Sequence, residues 1–131
     1  MSAPKLVSES ILIVDDDEAV TQTFARMLRL EGFTVRTAVS AESGLAEATK
    51  HRADAIILDL RMPRLDGLDF LKRLRAMDSH AQVPVAIVTG DHFLADAISA
   101  EPKQLGAELR FKPLWLEDLV GLAHTLLKVT H

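Results

Sequence analysis

The chain of 131 residues is long enough for one domain with a single core and too short for two. It is 48% hydrophobic and 26% charged, as in globular proteins, and its lack of cysteine excludes a disulfide framework, a thiolate nucleophile and a cysteine-based zinc site. The net charge of -4 disfavours direct nucleic-acid binding, and with no membrane-spanning apolar run and no signal sequence we expect a cytoplasmic protein.

Predicted strands and helices alternate along the chain. Residues 1–8 show no strong period and are expected to be a flexible segment, so the domain is expected to span residues 9–131. The predicted strands are residues 11–14, 33–37, 55–58, 83–88 and 108–111, and the predicted helices are residues 18–31, 40–51, a helix marked by Leu68, Leu71 and Leu74, then residues 93–100 and 116–129. Asp17 and Ser40 are predicted helix caps, and Gly32 a helix stop. This alternation predicts an α/β fold with a mostly parallel sheet covered on both faces.

Polar residues follow four of the predicted strands. Asp15 and Asp16 follow the first, Asp59 the third, Thr89 the fourth and Lys112 the fifth. In parallel α/β sheets, ligands bind where the carboxyl ends of the strands open into a crevice. We therefore expect these side chains to meet at one edge of the sheet.

Three neighbouring carboxylates repel one another unless a positive charge lies among them, and Mg²⁺ prefers oxygen ligands. A carboxylate beside such a cation can attack phosphorus, while the metal, an ammonium and a hydroxyl stabilise the charge on the phosphoryl oxygens. Each residue alone also fits a simpler role, because aspartates after strands often cap helices or form turns. We prefer that simpler role for Asp17 and Asp66.

Four motifs, in order, resemble the receiver domains of two-component response regulators. They are residues 11–18 (ILIVDDDE), residues 58–63 (LDLRMP) followed by Asp66-Gly67, then Thr89-Gly90, and Phe111-Lys112-Pro113. The resemblance covers about residues 10–129. It implies a CheY-like, flavodoxin-like (βα)5 fold, a doubly wound five-stranded parallel sheet in the order 2-1-3-4-5, for which this family is a standard example.

The resemblance also implies a function and a set of site residues. Asp59 would accept a phosphoryl group from the phosphohistidine of a histidine kinase or histidine phosphotransfer protein, with Lys112 and Thr89 contacting that group. The implied ligands of Mg²⁺ or Mn²⁺ are Asp15, Asp16, Asp59 and the backbone carbonyl of Arg61. Such a protein is not an enzyme in the ordinary sense, because it catalyses only its own phosphoryl transfer and autodephosphorylation.

Two residues depart from the family pattern. Leu109 stands where the family usually has Tyr or Phe, and Pro102 interrupts the fourth predicted helix. Both bear on the surface of helix four, strand five and helix five, through which the resemblance implies partner binding or homodimerisation. The output would pass to an effector protein or a fused output domain, and the sequence leaves open which of the two applies.

Two alternatives to the phosphorylation switch remain. One is a phosphorylation-independent interaction module of the same fold, which Leu109 and Pro102 mildly favour. The other is a metal-dependent phosphatase with an aspartyl nucleophile, which would usually need an acid or base at the position of Arg61.

The basic stretch Lys72, Arg73 and Arg75 is expected on a solvated helix face. The histidines lack ligand spacing and are expected mostly on the surface; they are His51, His80, His92, His124 and His131.

Overall fold

The computed structural model describes residues 9–59, 67–89, 107–111 and 116–129. Its strands are β1 (Ser10–Val14), β2 (Thr34–Ala38), β3 (Ala55–Asp59), β4 (Val85–Thr89) and β5 (Ala107–Phe111). Its helices are α1 (Glu18–Leu30), α2 (Ala41–Lys50), α3 (Gly67–Arg75), a short 3-10 turn (Asp78–His80) and the C-terminal helix (Leu116–Val129). The predicted fourth helix and Pro102 lie outside the described residues.

The five strands form one parallel sheet in the order β2-β1-β3-β4-β5, which confirms the predicted fold and strand order. Successive side chains of a strand point to opposite faces of the sheet. In β1, Leu12 and Val14 join an apolar cluster with α2 and α3. Ile11 and Ile13 join a second cluster with α1 and the C-terminal helix. Both faces of the sheet are therefore covered, which explains why its strands are almost continuously apolar.

Hydrogen bonds from short polar side chains fix the start of two helices. The Asp17 carboxylate accepts from the backbone N–H of Val20 at 3.2 Å at the start of α1. At the start of α2, Ser40 Oγ accepts from the N–H of Ser43, and Ser43 Oγ accepts from the N–H of Ser40. Both predicted caps are confirmed. Of the helices that the structure describes, none combines the length and the apolar content needed to cross a bilayer.

The end of α1 explains why β2 begins one residue later than predicted. Gly32 has a φ of 98°, and its N–H donates to the carbonyl of Arg29. The N–H of Phe33 donates to the carbonyl of Leu28 at 3.2 Å, which completes a Schellman motif. Because the N–H of Phe33 donates to a carbonyl of the helix, the pairing of β2 in the sheet begins at Thr34.

A related effect delays the start of β4, which was predicted at residue 83. The N–H of Val83 donates to the carbonyl of His80 at 3.4 Å, so it closes the 3-10 turn. Pro84 has no N–H to offer to the sheet. Its carbonyl accepts from the N–H of Ile56, and the strand itself begins at Val85.

The prediction for His80 is wrong, because this side chain has 0% of its surface exposed. The ring accepts a hydrogen bond from a residue distant in the sequence, so no local sequence pattern predicts its burial. His51 and His124 are exposed as expected, whereas His92 and His131 lie outside the described residues. Of the basic stretch, Lys72 and Arg73 are exposed, while Arg75 is only half exposed and donates to the backbone oxygen of His80.

Candidate functional site

The carboxyl ends of β1 and β3 lie side by side in the sheet. Val14 pairs with Leu58, so Asp15 and Asp59 are the next residues of two paired parallel strands. Neighbouring strands are separated by about 4.8 Å, which sets these two backbone positions together at one edge. Asp59, the last residue of β3, in turn pairs with Val88 of β4.

Strands β4 and β5 end at the same edge. Thr89 is the last residue of β4 and pairs with Phe111, the last residue of β5. Lys112, the residue after Phe111 in the sequence, and Arg61 both lie outside the described residues. The backbones of Asp15, Asp59 and Thr89 thus lie at the same edge of the sheet.

Asp15 is buried, with 4% of its surface exposed. Its N–H donates to the carbonyl of Ala38 at 3.1 Å, which continues the pairing of β1 with β2 by one residue. Its Oδ1 accepts from the N–H of Asp17 at 3.0 Å. A backbone donor therefore holds a nearly solvent-free carboxylate in a fixed direction at the end of β1.

Thr21 supports this acidic loop and was not singled out from the sequence. The side chain is fully buried in the first turn of α1. Its Oγ1 is placed to donate to the carbonyl oxygens of Asp17 at 2.7 Å and of Asp15 at 3.2 Å. The available signal was a hydroxyl four residues after the helix cap, on the buried face of an amphipathic helix. That position ties α1 to the loop that carries both aspartates.

Asp16 differs from Asp15 in being exposed to solvent. The loop after β1 therefore offers one buried and one exposed carboxylate, beside the strand that ends in Asp59. All of these groups provide oxygen ligands, and their like charges favour a cation between them. This donor chemistry fits a hard divalent ion such as Mg²⁺, which accepts carboxylates and keeps several waters.

Comparison with known proteins agrees with this arrangement. A family model described as the response regulator receiver domain matches residues 11–122, which lie inside the predicted domain. The transcriptional regulatory protein PrrA of Mycobacterium tuberculosis is 40% identical over 124 residues, which are 94% of this chain and 52% of that protein. The response regulator MprA of Mycobacterium ulcerans is 34% identical over 125 residues, which are 95% of this chain and 52% of that protein. The chain thus spans about half the length of the curated relatives it matches.

Solved structures show the same likeness. The chemotaxis response regulator CheY4 of Vibrio cholerae superposes with a TM-score of 0.83 at 29% identity, covering 92% of this chain and 99% of that one. A response regulator receiver domain from Clostridium thermocellum gives a TM-score of 0.82 at 30% identity, covering 93% and 96%. The motifs, the strand order and these matches lead to one conclusion: the chain belongs to the receiver domains of two-component response regulators.

Proposed function

We propose that Asp59 accepts a phosphoryl group from the phosphohistidine of a histidine kinase or of a histidine phosphotransfer protein. A carboxylate oxygen of Asp59 attacks phosphorus and the P–N bond to the histidine breaks; the imidazole keeps the bonding electron pair and is free to take up a proton. The observation that carries this proposal is the pairing of Val14 with Leu58, which makes Asp15 and Asp59 neighbours at the strand ends.

The proposed metal ligands are Asp15, Asp16, Asp59 and the backbone carbonyl of Arg61, with Mg²⁺ or Mn²⁺ as the ion. Receiver domains generally use Mg²⁺ for phosphorylation. When bound, the ion supplies positive charge that offsets the repulsion between these carboxylates and the incoming phosphoryl oxygens. The part of Asp15 is to present a preoriented oxygen, because the N–H of Asp17 already holds its Oδ1.

Thr89 and Lys112 are the proposed contacts of the transferred group. Thr89 follows Val88, the residue that pairs with Asp59, so its hydroxyl is a candidate donor to a phosphoryl oxygen. Lys112 follows β5 and would add an ammonium. These contacts exist only after the phosphoryl group has been transferred. They would therefore stabilise one arrangement of the surrounding loops relative to the arrangement in the unphosphorylated protein. Phosphorylation would in this way change the surface offered to partners.

The output is proposed to pass by protein contact to a separate effector or to a fused output domain. The curated relatives are about twice as long, and one group of them is named as transcriptional regulatory proteins. Control of transcription through such an effector is therefore the output that we favour, in the cytoplasm. Homodimerisation through helix four, β5 and the C-terminal helix is one route to it.

Intact-mass measurement after incubation with acetyl phosphate and Mg²⁺ tests the acceptor. We expect the folded protein to gain one labile phosphoryl group, and the gain to disappear without Mg²⁺ or in Asp59→Asn. Asp69→Asn is the matched control, since Asp69 lies in α3 and pairs with Arg73 at 3.3 Å. Full phosphorylation of the Asp59→Asn variant would contradict the proposal. So would the failure of the folded wild-type protein to be phosphorylated by any small donor.

The phosphorylation-independent module is the alternative, which the family match does not favour; the feature in its support is Leu109, which replaces the usual aromatic residue. Leu109 lies in β5 and pairs with Ile87 of β4. An aliphatic side chain there has no ring and no hydroxyl with which to follow a change at Thr89. Sedimentation with and without beryllofluoride, a phosphoryl surrogate, separates the two candidates. Unchanged association and unchanged effector binding in surrogate-loaded protein would favour the second.

A further inference from the structure

His80 forms two hydrogen bonds that link separate segments of the chain at the end of the sheet opposite Asp59. Its Nε2 accepts from the backbone N–H of Ala53 at 3.2 Å, a contact between residues 27 positions apart. Its backbone oxygen accepts from a guanidinium N–H of Arg75 at 3.0 Å. Ala53 lies just before β3 and His80 just before β4, so the residue ties together the amino ends of two neighbouring strands.

The hydrogen bond to Ala53 requires a neutral ring. A backbone N–H can only donate, so Nε2 must carry a lone pair, and the neutral ring holds its proton on Nδ1. Protonation would place an N–H of the ring against the N–H of Ala53. Both side chain and amide are buried, so water is not at hand to satisfy them.

The environment of the ring also favours its neutral form. Burial, followed by the positive charges of Arg52 and Arg75, lowers the pKa of His80 below its ordinary value. Five acidic side chains lie on the elements that meet here: Glu42, Glu47, Asp54, Asp69 and Asp78. Asp54 accepts from the N–H of Ser10, Asp69 pairs with Arg73, and Glu42 and Asp78 are exposed.

Glu47 does not offset these cations either. It lies in α2, and its Oε1 is buried without a hydrogen-bond partner among the described residues. It is not among the groups that shift the pKa of His80. The charges that lower the pKa of His80 are those of Arg52 and Arg75.

We propose that His80 is an acid-released clamp, which when neutral holds the start of β3 to the turn before β4 and when protonated lets them separate. The clamp is independent of phosphorylation, because it lies at the amino ends of the strands and the acceptor at their carboxyl ends. It gives the receiver domain a second input, the proton concentration.

The direction of the effect follows from proton linkage. The unfolded or opened chain has an ordinary histidine pKa of about 6.5, and the closed form has a lower one. The stabilisation by the clamp is therefore complete above about pH 6.5 and is lost as pH falls from there towards the pKa of the closed form. Within that window one proton is taken up on opening, so the opening constant rises by up to about tenfold per pH unit.

Amide hydrogen exchange of Ala53, followed by NMR between about pH 7.5 and 5, measures this opening. After correction for intrinsic exchange, we expect its protection factor to fall by up to about tenfold per pH unit below about pH 6.5. In His80→Gln the side-chain amide oxygen can accept from Ala53 but does not titrate, so the protection factor should stay flat. His51→Gln removes an exposed histidine and should behave as wild type.

A direct titration of the His80 ring in the wild-type protein covers the case in which His80→Gln does not fold. We expect its midpoint below about 6.5, the ordinary value for a histidine. A midpoint at or above that value would overturn the proposal, as would a pH-independent protection factor for Ala53 in wild type. So would a His80→Gln protein that kept the full wild-type pH dependence. None of these outcomes bears on Asp59.

Discussion

Gly44 of α2 approaches Val14 of β1 so closely that a Cβ atom added to it would lie 2.9 Å from Val14 Cγ2. The same atom would lie 2.9 Å from Cε2 of Phe70 in α3. Val14 and Phe70 are both fully buried in the cluster between the sheet, α2 and α3. The missing side chain therefore lets α2 pack directly on β1, the strand that ends just before Asp15.

Gly44→Ala should lower the free energy of unfolding by about 1–3 kcal/mol, the usual cost of overpacking a core. The measurement is urea denaturation at neutral pH. Gly121→Ala is the matched control, because Gly121 also lies within a helix but an added Cβ would have no described residue within 4 Å. There the change should stabilise the protein by up to about 1 kcal/mol. Two variants of equal stability would refute the close packing.

Thr21→Val should destabilise the protein by about 1–3 kcal/mol, because the carbonyl oxygens of Asp15 and Asp17 lose a buried donor. Valine keeps the shape of threonine, so packing is largely preserved. Thr23→Val is the control: Thr23 is exposed in the same helix and its hydroxyl donates to the carbonyl of Ala19 within that helix. Its effect should stay within about 0.5 kcal/mol. Similar losses in both variants would show that Thr21 does not support the acidic loop.

Asp15→Asn should abolish stabilisation by Mg²⁺ without unfolding the metal-free protein. The asparagine oxygen can still accept from the N–H of Asp17, while one negative charge leaves the crowded edge. In wild type, Mg²⁺ should raise the free energy of unfolding, by about 2.7 kcal/mol when the free ion concentration is about a hundred times its Kd. The measurement is the upward shift of the thermal unfolding midpoint. Asp78→Asn, a change to an exposed aspartate, should keep the whole shift. A full Mg²⁺ shift in Asp15→Asn would exclude Asp15 as a ligand.

Ser40→Ala should lower the free energy of unfolding by about 1 kcal/mol, since α2 loses the acceptor of the Ser43 N–H. Thr49→Ala, in the exposed face of the same helix, removes a hydroxyl that donates to the carbonyl of Leu45. That control should be neutral or slightly stabilising, because alanine is the better helix former. Chemical denaturation of the pair compares the two. A neutral Ser40→Ala would mean that the reciprocal cap adds nothing to stability.

Those features that depend on short stretches of chain were predictable. The caps at Asp17 and Ser40 and the stop at Gly32 were predicted correctly, because each is set by residues within one helical turn. The C-terminal helix, Leu116–Val129, has the predicted bounds. The strand order was predicted from family resemblance as well as from the pattern, since alternation alone allows more than one order.

Features that depend on distant contacts were not predictable in this way. His80 is buried because its ring meets the amide of Ala53, and nothing near His80 in the sequence indicates that partner. The strand-end positions of Asp15, Asp59 and Thr89 followed from the apolar runs before them. The role of Thr21 was missed although its contacts are local, because a buried threonine in a helix does not by itself show which backbone carbonyls its hydroxyl reaches.

The position of β1 between β2 and β3 has a consequence for synthesis of the chain. Residues 9–59 carry three adjacent strands, so this half of the sheet can pair before β4 and β5 have left the ribosome. Asp15, Asp16 and Asp59 all belong to that first half, whereas Lys112 comes 53 residues after Asp59 in the sequence. The nascent protein can therefore assemble an acidic edge before Lys112, the proposed ammonium contact, has been synthesised. Cellular cations are the available counter-charge during that interval.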